Sequence, residues 1–175
     1  QNLVAVIPAL AKVNLGVTSP LMVNAMLALS IIGIMIGAYV SARKSINSVK
    51  VNNIYTGSTT ITVCAILVPV VATLSFIPNS IALIIVSALI MLFGIGAGMM
   101  LVPLNALIQA HSAKDGLGSV LAGKNWIQNM AMIGLLLLTV LLARSNVNSV
   151  YILYLNAFIA VVGFTVVLKR LKAIL

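Results

Sequence analysis

Asn125, Gln128, Asn129 and Met132 follow one another at i, i+3, i+4 and i+7, the spacing that sets side chains on one face of a helix. Asn105 and Gln109 stand one turn apart just after Pro103, and Asn24 and Ser30 share an earlier stretch. All of these sit in otherwise apolar runs. Amides offer donors and acceptors but no charge, so their chemistry is recognition: they bond a neighbouring helix or hold the polar part of a ligand. For an isolated Asn the helix–helix bond is the simpler reading. The stripe from Asn125 to Met132 is denser than packing usually needs, and it reads either as further helix–helix bonding or as one wall of a cavity. Lys124 precedes the stripe. Its ammonium either snorkels to the headgroups or attracts the phosphate of a lipid or another anion. Pro103 removes a backbone donor and loosens the helix near Asn105, an interruption that transporters favour beside their sites.

Reactive groups are few. The chain has one His (His111), one Cys (Cys64) and one acid (Asp115), which cannot be combined into a catalytic triad or a metal site. No G-x-x-x-x-G-K-[ST] cradle for nucleotide phosphates is present. The chain therefore reads as no enzyme, with no cofactor and no metal. No Asp or Glu falls inside an apolar run, and His111 stands at the end of one. This stretch therefore carries no proton relay. Cys64, alone in an apolar run, reads as a small buried residue.

The elements that would position the amides are membrane helices. Of 175 residues, 62% are hydrophobic and 6% charged, with a mean hydropathy of +1.24; a soluble domain carries about 25% charged residues. Lipid, not water, must cover most of the surface. A bilayer core needs roughly 20 helical residues. The runs that reach this length are 21–39, 54–77, 80–109, 117–142 and 150–168, with a partial span at 1–11. The third is long enough to tilt or protrude. Lys12 follows its apolar stretch, so the start is no signal peptide and reads as the end of a helix. The expectation is an all-α, polytopic bundle in one transmembrane domain covering 1–175.

Net charge is +9. Arg43, Lys44, Lys50, Lys114, Lys124, Lys169, Arg170 and Lys172 fall on one side of the alternating spans, and Lys12 and Arg144 on the other. Retention of Lys and Arg on the cytoplasmic side puts the C-terminus inside. The bases are not interleaved with aromatics, so nucleic acid is not the partner. Gly33 and Gly37 form one G-x-x-x-G, and Gly94 and Gly98 another; both mark close helix approach.

Five spans plus the end of a sixth, C-terminus inside, resemble the second half of a major facilitator superfamily transporter. The stretch Gly37-Ala38-Tyr39-Val40-Ser41-Ala42-Arg43-Lys44 is similar to that superfamily's glycine-then-basic loop, here without its usual acid. Val102-Pro103-Leu104-Asn105-Ala106-Leu107-Ile108-Gln109 resembles the tenth-helix motif of the bacterial lysophospholipid transporters. Gly118-Ser119 followed by Asn125, Gln128 and Asn129 is similar to their eleventh helix, and Asn24-Ala25-Met26 to their eighth. The likeness runs from about Val6 to the end and is strongest over 99–132. Some members carry an acid where this chain has Gln128.

The resemblance implies inward movement of lysophospholipids, notably lysophosphatidylethanolamine, across the bacterial inner membrane. It implies a partner N-terminal half, and an acyltransferase acting on the cytoplasmic side. Candidate substrate-binding residues are Asn24, Asn105, Gln109, Lys124, Asn125, Gln128 and Asn129. Neutral amides suit a zwitterionic headgroup, since one strong charge would bind one end and repel the other. Two other readings compete. An exporter of drugs or small solutes would call for coupling acids that this stretch lacks. A non-transporting subunit or anchor would have no use for the polar stripe.

Overall fold

A computed structural model describes residues 2–44, 51–74, 76–112, 116–145 and 147–172. They form six helices: α1 (Asn2–Val13), α2 (Pro20–Lys44), α3 (Val51–Thr73), α4 (Asn79–His111), α5 (Leu117–Arg144) and α6 (Ser149–Lys172). Helices α2 to α6 are each long and apolar enough to cross a membrane. At 1.5 Å per residue, the 33 residues of α4 span about 50 Å, well beyond the roughly 30 Å of a hydrocarbon core. The chain is therefore an all-helical, multi-pass membrane protein. Lys50, Lys114 and Asp115 lie outside the described residues.

Helix α4 is the central post, with α2 on one face and α3 on another. The reason lies in its run of small residues. A Cβ built on Gly94 would collide with the Ser30 carbonyl oxygen, and one on Gly98 with that of Ile34. Reciprocally, Gly33 faces the Met91 carbonyl and Gly37 that of Ile95. Residue numbers rise together across this contact, so α2 and α4 run parallel. Gly96 points to the other side, where its Cβ would lie 2.9 Å from the Gly57 carbonyl, and a Cβ on Gly57 2.7 Å from that of Gly96. In lipid no hydrophobic force drives helices together, so dispersion between closely approaching backbones takes its place.

Helix α3 runs antiparallel to both α4 and α6. Tyr55 meets Phe164 with ring centroids 6.1 Å apart, while Val68 and Leu153 share the core at the other end. That core gathers Ile7 and Leu10 of α1 with Val86, Ile90 and Leu153. Gly16, at φ 64°, turns the chain from α1 back toward α2, and the Val17 N–H donates to the Ala11 carbonyl at 2.9 Å. Cys64 is buried, as its setting predicted.

Several helix ends differ from the hydropathy reading, and two of them are instructive. The span 54–77 is a helix only to Thr73, because hydropathy measures preference for lipid and continues through 74–77, past the end of the helical hydrogen bonding. The glycine-then-basic stretch 37–44 is the last two turns of α2 rather than a loop. Its glycine is needed against Ile95, and its bases stand beyond the apolar part of the helix.

Helix α5 stands apart from the rest: none of its residues is buried. It touches α1 and α6 lightly, near its C-terminal end, and α4 mainly through one side-chain contact.

Candidate functional site

The alternating helix directions collect the described cations at two ends. Arg43, Lys124 and Lys169 lie toward one end, with the C-terminal turn of α4 and its Gln109. Lys12 and Arg144 stand at the other.

At the first end the Lys124 Nζ donates to Asn105 Oδ1 at 2.6 Å. Both residues are half-buried. Local sequence puts them there: Asn105 follows Pro103, which is fully buried, and Lys124 lies two turns into α5. The contact ties the two amide clusters on α4 and α5 together across 19 positions of sequence. A hydrogen bond from an ionised donor is short and about twice as strong as a neutral one. Among the described residues no carboxylate pairs with the ammonium, and the amide oxygen brings only a dipole. A phosphate oxygen would be a better acceptor for the same group.

Gln109 lies one turn past Asn105, and Gln128 one turn past Lys124. Asn125 and Asn129 form a second i, i+4 pair beside them. Gln109, Asn125, Gln128 and Asn129 are all exposed and make no side-chain hydrogen bond among the described residues. Helix–helix bonding among the described residues does not occupy them. Met132, the fourth residue of the stripe, is half-buried.

Asn24 does not join this group. It is exposed near the start of α2, nine residues before Gly33, while Asn105 lies eleven residues beyond Gly94. Gly33 and Gly94 are level in the parallel pair, so helix rise alone separates the two amides by about 30 Å. Ser30 is structural: buried, its hydroxyl donates to the Leu27 carbonyl at 2.8 Å.

A polar junction that the sequence reading passed over lies where α2, α3 and α4 meet. Ser41 is fully buried and Asn53 almost so. The Asn53 Nδ2 donates to Ser41 Oγ at 3.3 Å, and the Ser41 hydroxyl donates to the Met99 carbonyl at 3.3 Å. One chain of two bonds therefore pins three helices beside the Gly37–Gly98 contact. The signal in sequence was Asn53 at the edge of an apolar run, where it reads as loop. Ser41→Ala leaves the Asn53 amide unsatisfied, a cost of about 1–3 kcal/mol. A Ser41→Ala, Asn53→Leu double variant should regain part of that loss in detergent unfolding curves, and equal losses would show that the junction contributes nothing.

The described side chains at this end are hydrogen-bonding groups: one ammonium and five amides. No group of three or more His, Cys, Asp or Glu that could hold a metal is found among the described residues. Comparison with protein-family models, with curated proteins and with solved structures finds no match.

Proposed function

We propose that this chain is the second half of a major facilitator superfamily transporter that moves lysophospholipids inward across a bacterial inner membrane, with its C-terminus in the cytoplasm. It binds and releases its substrate without catalysis. The observation that carries this reading is the Lys124–Asn105 contact: it joins an ammonium to one of two amide clusters, while the remaining amides are exposed and make no side-chain bond among the described residues. An ammonium beside neutral amides matches a headgroup of one phosphate and one amine. The lipid's tail needs only apolar surroundings, which every neighbouring helix surface provides. A simple anchor would leave such amides in lipid at a cost in free energy and without return. Alternating access sets the site between two halves, so the uncovered amides would face the N-terminal half, and an acyltransferase would take the lipid on the cytoplasmic side.

The test is uptake of labelled lysophosphatidylethanolamine into proteoliposomes carrying the intact parent protein. Wild type should accumulate the lipid. Asn105→Ala, Gln128→Ala and Asn129→Ala should each lower kcat/KM by roughly two- to tenfold, the worth of one neutral hydrogen bond. Asn24→Ala should leave it unchanged, given its distance from the cluster. Absent uptake by wild type sinks the lipid reading, whereas folded amide variants with normal uptake sink the site.

A further inference from the structure

At the end opposite Lys124, a partly open cavity of about 560 Å³ lies between α1, the C-terminal part of α5 and the start of α6. Val6, Ala9 and Val13 form one wall, and Leu136, Val140 and Ala143 another. The space exists because Ala9 and Ala143 present only methyl groups where α5 stands away from α1. Part of its polar lining is engaged: the Thr139 hydroxyl donates to the Leu135 carbonyl at 2.9 Å, and Asn148 Oδ1 accepts from the Val150 N–H at 3.1 Å, while Ser149 adds one hydroxyl beside Asn148 at the start of α6. Such walls suit an apolar occupant. From Val6 to Val13 the wall runs about 10 Å along the helix, within the roughly 15 Å depth of one leaflet's hydrocarbon.

Two residues next to the lining carry the opposite chemistry. Lys12 precedes the lining residue Val13, and Arg144 follows the lining residue Ala143; both are exposed. These two are the cations of this end, and neither α1, α5, α6 nor the turn joining α5 to α6 contains an acid. An apolar slot whose walls end in two exposed cations, with no acid on the same elements, is complementary to an amphiphile with an anionic head.

We infer that this cavity holds one acyl chain of an anionic membrane phospholipid, with its phosphate between Lys12 and Arg144. The lipid is resident rather than transported. Thr139 lies 15 residues along α5 from Lys124, a rise of about 22 Å, so this inference stands apart from the transport reading. The occupant replaces dispersion contacts that an empty apolar space forfeits, and it braces the loosely held α5 against α1 and α6.

The test uses the intact parent protein in phosphatidylcholine vesicles doped with phosphatidylglycerol bearing a diazirine on one acyl chain. After irradiation, peptide mass spectrometry should find adducts concentrated on the stretches holding Val6–Val13 and Leu136–Ala143, severalfold above the exposed α2 surface around Ile31 and Met35. The pair Lys12→Gln and Arg144→Gln should lower that labelling severalfold, and Ala143→Phe should abolish it. Labelling spread evenly over the exposed helices overturns the inference in the wild type alone, with no variant needed. Displacement by excess lysophosphatidylethanolamine also overturns it, since the cavity would then belong to a transport route.

Discussion

Gly94→Ala should destabilise the bundle by about 1–3 kcal/mol, the usual cost of overpacking a close contact, although it adds a single methyl group. Ordinarily the change would help, because alanine is the better helix former by about 1 kcal/mol. Here the added carbon meets the Ser30 carbonyl oxygen, which is backbone and cannot swing aside. The helices must part, and parting at Gly94 also lengthens the contacts at Gly33, Gly37 and Gly98 on the same seam. Gly94→Leu with Gly98→Leu should leave no cooperatively folded protein. Gly134→Ala is the control: nothing lies within 4 Å of a Cβ at Gly134 in α5, so that change should be neutral or mildly stabilising. Unfolding of both variants in mixed micelles, followed by helical circular dichroism, decides the matter. Equal midpoints for Gly94→Ala and Gly134→Ala would mean that the α2–α4 seam does not hold the fold.

The seam also shows what the sequence could and could not reveal. Both G-x-x-x-G pairs are legible as places of close approach, because spacing of four keeps them on one face. Their pairing with each other, in parallel, is not legible, since any two helices with small faces could have met. Gly96 carries a third message hidden in plain view. Two residues on from Gly94 it turns by about 200°, so the run Gly94-Ile95-Gly96-Ala97-Gly98 offers small faces to two neighbours at once. Gly57, its counterpart on α3, had no visible partner of its own in sequence.

Hydropathy likewise located the five long helices while misplacing their ends. It measures preference for lipid, whereas a helix ends where hydrogen bonding ends, as at Thr73 ahead of Pro78. Basic residues such as Arg43 continue a helix past the apolar limit without any hydropathic trace. The amide stripe was legible from period alone. Its link to Asn105 was not, because contact across 19 positions depends on how α5 leans on α4, and the looseness that opens the cavity near Ala143 depends on the same lean.

That lean gives Lys124 its second reading, and substitution there separates the two. A lysine that merely snorkels anchors its helix at the headgroups, and glutamine or methionine in its place would alter stability while leaving substrate affinity alone. A lysine that holds a phosphate contributes a hydrogen bond to a charged group, about 1.5–3 kcal/mol, or roughly 10- to 100-fold in kcat/KM for lysophospholipid uptake. Lys124→Met should therefore lose that much, and Lys124→Gln nearly as much, because an amide still reaches Asn105 yet brings no charge. Lys124→Arg should keep most of the activity, since its guanidinium can span the same gap and bind phosphate bidentately. Ionic strength gives an independent readout: salt should weaken wild-type uptake through KM and leave the glutamine variant nearly insensitive. A purely structural lysine would show no such split. Full uptake by folded Lys124→Gln, with wild-type salt dependence, would remove Lys124 from the site and return it to the membrane surface.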